Sequence, residues 1–271
     1  MIPLRDNIPS RTTPLVNYAL IAVCTLVFLT QLTDQRGGGS ILVERYGMIP
    51  KRVFHPDQVL VRAERVALVD NFGRVVKVVE RPRELARTPF TPWLTVLTCI
   101  FLHGGWMHFL GNMWFLFIFG DNVEDRIGHF GYLLFYLVSG VAASVVHLMS
   151  DPASQVPTIG ASGAIAAVMG AYSLLYPRAH VISLIPLFFF VEVIVLPAPV
   201  FLGIWFFLQF FQGVWSVTST QTAGVAWWAH IGGFAFGFLI AGLLRTTGKT
   251  RPPVEQTRPR ADHMMAYRYQ R

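Results

Sequence analysis

The sequence has little charge and little cysteine. Asp, Glu, Lys and Arg make up 14% of the 271 residues, whereas apolar side chains make up 53%. An ordinary soluble domain carries about 25% charged residues, so the composition excludes a soluble globular domain as well as intrinsic disorder. Cys24 and Cys99 form no CxxC pair and no metal-ligand spacing, and Cys24 lies in an apolar run, which argues against a structural disulfide. The composition predicts a polytopic membrane protein.

The net charge of +7 does not indicate nucleic-acid binding, because of where the positive charge lies. Seven of the 22 Lys and Arg residues lie between Arg245 and Arg271, opposed there by only Glu255 and Asp262. A basic segment directly after an apolar run is typical of membrane orientation and of contact with anionic lipids. We therefore expect membrane lipids as partners, and no nucleic acid, metal or cofactor.

Long stretches without charge predict membrane-spanning helices, each of which needs about 20 apolar residues. Two of these stretches are too long for one helix, and they are divided at His103-Gly104-Gly105 and at the prolines 186, 197 and 199. A short membrane-skimming segment (92–102) then precedes the second span, and an interfacial connection (181–196) precedes the fifth. The sequence therefore predicts an all-α polytopic membrane protein with six transmembrane helices, at 14–33, 106–120, 130–149, 160–176, 199–213 and 225–244.

The basic residues of the short loops predict the orientation of this bundle. The loops after spans two and four contain Arg126 and Arg178, whereas those after spans three and five contain no Lys or Arg. By the positive-inside rule both termini are cytoplasmic. The chain then divides into a cytoplasmic N-terminus (1–13), a six-helix membrane domain (14–245) with a long external first loop (34–105), and a basic cytoplasmic tail (246–271). Within the loop, β-branched runs at 66–69 and 75–79, separated by four turn-forming residues (70–73), predict a small β-hairpin.

Placing a polar side chain inside the membrane costs free energy, so each such residue is expected to have a structural or functional role. His108 and Asn112 lie four residues apart on one face of the second span, Ser162 opens the fourth, and His230 lies early in the sixth. Counting back from the charged residue taken to end each helix places the two histidines and the serine roughly 20 to 24 Å above the cytoplasmic surface. Those charged residues are Asp121, Arg178 and Arg245.

Small residues indicate how the helices carrying these groups meet. Stripes at 162, 166 and 170 and at 233, 237 and 241 permit close backbone approach, which would bring Ser162 within hydrogen-bonding reach of His230. A serine beside a neutral imidazole is a nucleophile with its general base, and His108, Asn112 and helix-start N–H groups could stabilise an oxyanion. A single serine or histidine in a membrane helix is usually a hydrogen-bonded packing residue. The agreement of depth and chemistry across three helices favours catalysis.

Three motifs then resemble the rhomboid intramembrane serine proteases. They are His103-x4-His108-x3-Asn112, Gly160-Ala161-Ser162-Gly163 and Ala229-His230-x2-Gly233-x3-Gly237, and Tyr46-Gly47-Met48-Ile49-Pro50 is similar to many bacterial members. The resemblance implies an integral protein, in a bacterial inner membrane, that cleaves transmembrane protein substrates.

The resemblance also implies a role for each matching residue. Ser162 is the nucleophile and His230 the base, a dyad without a carboxylate. His108 and Asn112 form the oxyanion hole, and His103 hydrogen-bonds in a water-filled cavity. The glycines of the motifs have supporting roles: Gly160, Gly163, Gly233 and Gly237.

Two departures from the family pattern are visible. Ala166 stands where many members carry an aromatic ring against the base, and Trp93-Leu94 replaces a Trp-Arg pair. We expect another apolar side chain, Trp205 or Trp227, to lie against His230 instead.

Two functions other than a protease are also considered. A catalytically inactive relative that binds membrane clients typically lacks the serine or the histidine, and a small-molecule transporter is expected to show repeated halves, which this sequence does not.

Overall fold

The computed structural model of the protein describes residues 1–36, 39–69, 74–187, 190–218 and 226–252. The helices in these ranges are α1 (Leu15–Thr33), α2 (Ile41–Tyr46), α3 (Pro50–Phe54), α4 (Thr95–Thr98), α5 (Trp106–Ile127), α6 (His129–Ser150), α7 (Ser162–Leu175), α8 (Ala198–Thr218) and α9 (Trp227–Thr246). The strands are β1 (Ile2–Asp6), β2 (Gln35–Arg36), β3 (Gly39–Ser40), β4 (Val61–Val69), β5 (Val75–Glu84), β6 (His180–Leu187) and β7 (Phe190–Pro197). The predicted turn at 70–73, residue 225 and the tail from 253 lie outside the described residues.

Each segment predicted to span the membrane contains an apolar helix. Of the helices described, α1, α6 and α9 are long and apolar enough to cross a membrane. α5 qualifies together with Pro92–Phe101, the predicted membrane-skimming segment, to which it is joined by a bend of 77°. α7 and the Ala198–Gln212 part of α8 are apolar but shorter. The protein is therefore mostly helical, and its described residues contain three to four candidate spans.

The predicted interfacial connection at 181–196 is a β-hairpin. β6 and β7 pair antiparallel, and β1 adds a third strand along the free edge of β6. Valine and isoleucine are frequent in both halves of the segment, and β-branched residues favour extended strands. Glu192 lies exposed on β7. The prediction of an all-α protein is wrong in this respect, because a three-stranded sheet accompanies the helices.

The hairpin predicted in the long first loop is confirmed. β4 pairs with β5 with Val66 opposite Val79, and both strands are longer than predicted. At the base of the hairpin, Glu44 of α2 accepts hydrogen bonds from the guanidinium of Arg83 and from the backbone N–H of Ala86. Burial acts to raise the pKa of Glu44, but these donors and two nearby arginine charges outweigh it and hold the pKa below its ordinary value. An ionised Glu44 thus ties the hairpin to α2.

The C-terminal end of α5 carries buried carboxylates that bind the start of the chain. Glu124 accepts the backbone N–H groups of Val16 and Asn17, at 3.0 and 2.7 Å, where the first turn of α1 leaves its N–H groups without helical partners. Asp125 accepts a 2.8 Å hydrogen bond from Arg11 Nε. These contacts fix α1 against α5.

The helix of the second span ends later than predicted. α5 runs to Ile127 instead of ending at 120, and Arg126 lies in its last turn rather than in a loop. Asp121, taken as the charge that ends the helix, lies inside it. The neighbouring charged side chains are satisfied within the protein, so they do not terminate the helix.

α7 lies at the centre of the bundle and is almost completely buried. It begins after Gly160, whose φ of +129° lies in a region that favours glycine, and it ends shortly before Pro177, which cannot continue a helix. Helices α5, α6, α8 and α9 all pack against it. The position of α7 therefore determines where its first residue, Ser162, is placed.

The backbones of α7 and α9 touch at glycines. A Cβ atom added to Gly237 would lie 2.0 Å from the carbonyl oxygen of Ala167, and one added to Gly233 would lie 2.1 Å from that of Gly163. Gly170 meets α9 in the same way. Gly233 and Gly237 on α9 and Gly170 on α7 belong to the predicted stripes. On α7, Gly163 and Ala167 also lie at the contact, although the predicted stripe did not include them.

We expect Gly237→Ala to destabilise the fold by about 1–3 kcal/mol or more, because the added methyl group must push two backbones apart. Gly242→Ala on the same helix is the matched control, since a Cβ there meets nothing within 4 Å. Thermal unfolding in detergent micelles measures the difference. Equal transition temperatures for the two variants would contradict the packing described.

Candidate active site

Ser162 and His230 are in direct contact. His230 Nε2 lies 2.7 Å from Ser162 Oγ, and the imidazole is buried. Ser162 is the first residue of α7 and His230 lies in the first turn of α9, so the close approach of these two helices brings the pair together. The hydroxyl can donate its proton to an unprotonated Nε2, which is the arrangement of a nucleophile and its base.

Another serine on α7, Ser173, makes the hydrogen bond that is usual for a serine in a helix, to a carbonyl group of its own helix. Ser173 Oγ donates a 2.7 Å hydrogen bond to the carbonyl oxygen of Gly170 on its own helix. Ser162 instead pairs with a side chain on a different helix. The two serines therefore differ in local chemistry although they share one helix.

Three side chains surround the His230 ring. Gln209 Oε1 on α8 lies 2.7 Å from His230 Nδ1. The ring of Trp205 lies 5.9 Å from the imidazole, centroid to centroid, and the ring of Trp227 lies 6.0 Å away, perpendicular to it. Both tryptophans named as alternatives thus lie against the ring.

Sequence reasoning missed Gln209. The sequence did place its polar amide inside a predicted membrane span, where a polar side chain costs free energy and is therefore a candidate for a role. It could not show that His230 is the partner of Gln209, because the sequence does not determine which face of α8 meets α9.

His108 on α5 lies close to Gly160, two residues before Ser162. Its Nδ1 accepts a 3.3 Å hydrogen bond from the backbone N–H of Gly104, so a neutral ring carries its proton on Nε2. A Cβ on Gly160 would lie 2.7 Å from this Nε2 and 3.6 Å from Ser162 Oγ. Gly160 therefore leaves open a space that the His108 N–H and the Ser162 hydroxyl both border.

The remaining predicted site residues are Asn112, His103 and the glycines of the motifs. Asn112 lies one turn after His108 on α5, and its buried Nδ2 has no hydrogen-bond partner within the described ranges. The His103 ring lies 5.4 Å from that of His108, and Gln31 binds the His103 backbone through both its N–H and its carbonyl. The predicted glycines 163, 233 and 237 serve the α7–α9 contact. Within the part of the chain described, no three His, Cys, Asp or Glu side chains are grouped so as to hold a metal ion.

Comparison with known proteins identifies one family. The family model of the Rhomboid domain matches residues 91–247, more than half of the chain. Rhomboid-like protein 11, chloroplastic, of Arabidopsis thaliana is 42% identical over 76 residues, which are 28% of this chain and 27% of that protein.

Two bacterial relatives are similar over the same length of chain. The putative rhomboid protease YdcA of Bacillus subtilis is 35% identical over 80 residues, covering 30% of this chain and 40% of that protein. Rhomboid protease GluP of the same bacterium is 39% identical over 84 residues, covering 31% and 16%. The matched segment spans less than half the length of each of these relatives.

We expect Ser162 to react with a fluorophosphonate probe, because the adjacent imidazole can accept the hydroxyl proton during attack on phosphorus. Labelling of the detergent-solubilised protein, read by in-gel fluorescence, should disappear in Ser162→Ala and in His230→Ala. The matched control is Ser173→Ala, which removes a back-bonded serine from the same helix and should label like the wild type. Undiminished labelling of Ser162→Ala would show that the reactive serine lies elsewhere.

Proposed function

The chain belongs to the rhomboid family, and on this premise we propose that it is a serine protease that hydrolyses peptide bonds in or next to the transmembrane segments of other membrane proteins. The observation that carries the proposal is the 2.7 Å contact between Ser162 Oγ and His230 Nε2 in a buried setting. Two of the similar proteins carry the word protease in their names, which supports the same activity.

The proposed reaction begins with attack of Ser162 Oγ on the scissile carbonyl carbon. His230 Nε2 takes the hydroxyl proton as the C–O bond forms, and it returns this proton to the leaving amine nitrogen as the C–N bond breaks. The acyl group then remains on Ser162. A water molecule gives a proton to His230 and attacks the ester, and the released serine oxygen takes that proton back.

An oxyanion hole completes the proposed mechanism. The candidate donors are His108 Nε2–H, which borders the space beside Ser162, the unpartnered Asn112 Nδ2, and the Ser162 backbone N–H at the start of α7. The positive end of the α7 dipole favours negative charge at this position. Each group donates to an oxygen that becomes negative only during the reaction.

The proposed setting in the cell follows from the same premise. The protein is an integral membrane protein, and we place six helices, α1, α5, α6, α7, α8 and α9, across a bacterial inner membrane with both termini in the cytoplasm. The domain limits are those of the sequence: a membrane domain at 14–245 with an external loop at 34–105, flanked by 1–13 and the basic tail 246–271. Transmembrane proteins are its substrates and lipids its surroundings, and the proposed reaction needs no cofactor.

We expect Ser162→Ala and His230→Ala each to abolish cleavage of a single-span substrate reconstituted with the protein in liposomes. Because the two side chains act as one unit, the double variant should be no slower than either single variant. Product release is followed by gel electrophoresis and mass spectrometry of the fragments. Cleavage by Ser162→Ala, or losses that multiply in the double variant, would contradict the dyad. Substrate binding without cleavage by the wild type would instead indicate an inactive, client-binding relative.

We expect Asn112→Ala to lower kcat by about 10² to 10³-fold with little change in KM, which is the usual effect of removing one oxyanion donor. Leu110→Ala, at an exposed position on the same helix, is the control and should leave both constants unchanged. Initial rates over a range of substrate concentrations measure kcat and KM. Wild-type turnover by Asn112→Ala would assign Asn112 to packing.

A further inference from the structure

For His230 to act as the general base, its neutral ring must carry its proton on Nδ1 rather than on Nε2. A neutral imidazole carries one N–H and one free nitrogen, and the hydrogen bond made by the first nitrogen decides which tautomer is present. His230 can accept the Ser162 proton only if Nε2 is free, so Nδ1 must carry the hydrogen. A group that accepts a hydrogen bond from Nδ1 therefore keeps the base in its useful form.

Gln209 is the side chain in contact with that nitrogen. Its Oε1 lies 2.7 Å from His230 Nδ1, a normal distance for an N–H···O hydrogen bond. The reversed amide would donate to Nδ1 and force the ring proton onto Nε2, where it would point at Ser162 and leave no base. The orientation with the oxygen towards His230 is therefore the one that a working base requires.

The surroundings of His230 explain why an amide suits this position. Trp205, one turn before Gln209 on α8, and Trp227 on α9 border the imidazole, so its environment is largely apolar. In the described part of the chain, the titratable groups whose charge would act on the ring are His108 on α5 and His147 on α6. Within the described ranges, no carboxylate forms an ion pair with His230. A neutral acceptor orients the ring without the cost of burying an unpaired charge.

We propose that Gln209 is a positioning residue for the general base, which accepts the Nδ1–H of His230 and so keeps Nε2 free and directed at Ser162. This inference rests on the proposed protease function and deepens it, because it makes the site a serine–histidine–glutamine arrangement spread over α7, α9 and α8. Helix α8 thus supplies a polar contact to the site in addition to the tryptophan.

Two substitutions separate orientation from packing. Gln209→Leu removes the acceptor and should lower kcat by up to about 10²-fold with KM unchanged, since a mobile or wrongly protonated imidazole is a poor base. Gln209→Glu keeps an acceptor oxygen in the same place and should restore most of the lost turnover. The matched control is Gln212→Leu, which removes an exposed glutamine from the same helix and should leave kcat and KM at wild-type values.

A second measurement does not depend on turnover. In protein carrying ¹⁵N-labelled histidine, with the His230 signals assigned by their absence from His230→Ala, we expect a protonated Nδ1 and a free Nε2 in the wild type. Gln209→Leu should shift these signals towards a mixture of tautomers, whereas Gln212→Leu should leave them unchanged.

The outcomes distinguish this inference from the proposed function. Wild-type kcat and unchanged histidine signals in Gln209→Leu would overturn the role of Gln209 while leaving the dyad intact. An equal loss in Gln212→Leu would overturn it as well, because the effect would then belong to the helix as a whole. If the wild-type protein cleaves no substrate, the protease function fails, and the ¹⁵N signals still decide whether Gln209 sets the tautomer of His230.

Discussion

The contact between the backbones of α7 and α9 is the constraint on which the rest of the site depends. Ser162 has a short side chain, and it reaches His230 only because the two helices approach until Gly233 and Gly237 meet the carbonyl groups of α7. In a membrane, apolar burial does not drive helices together, so small residues that permit close packing decide which helices become neighbours. The glycines at which α7 and α9 touch thus also set the distance between Ser162 and His230.

Three polar side chains near the start of α7 find their hydrogen-bond partners on other helices. Ser162, His230 and Gln209 form a continuous chain of hydrogen bonds across α7, α9 and α8. An unpaired polar atom is costly in such surroundings, so each member of the chain restricts the orientation of the next. The buried amide of Asn112 is different, since its Nδ2 lacks a partner in the described part of the protein. The proposed oxyanion hole would give this unsatisfied donor a partner.

The C-terminal ends of α5 and α7 are held by polar contacts of another kind. Asp6 of β1 accepts hydrogen bonds from Asn122 of α5, at 2.8 Å, and from Tyr172 of α7. Burial raises the pKa of Asp6 to about 6, although the hydrogen bond from Tyr172 acts to lower it. Together with the carboxylate of Glu124 that binds the start of α1, this contact ties the N-terminal segment to the helices that carry the site. Close packing positions the helix ends that carry Ser162 and His230, and buried carboxylates hold the opposite ends of α5 and α7.

The sequence by itself indicated the positions of the long helices, the hairpin of the first loop and the contact of Ser162 with His230, because apolar runs, β-branched runs and isolated polar groups are local signals. It did not determine that 181–196 forms strands, since an apolar, proline-containing segment is compatible with several structures until β1 pairs with it. It also did not determine that α5 passes Gly120, because the charges beyond that residue are tolerated only through partners distant in the chain. Gln209 illustrates the same limit. Its amide was visible in a predicted span, but only the packing of α8 against α9 decided that it faces His230 rather than lipid, since that depends on how two helices rotate against each other.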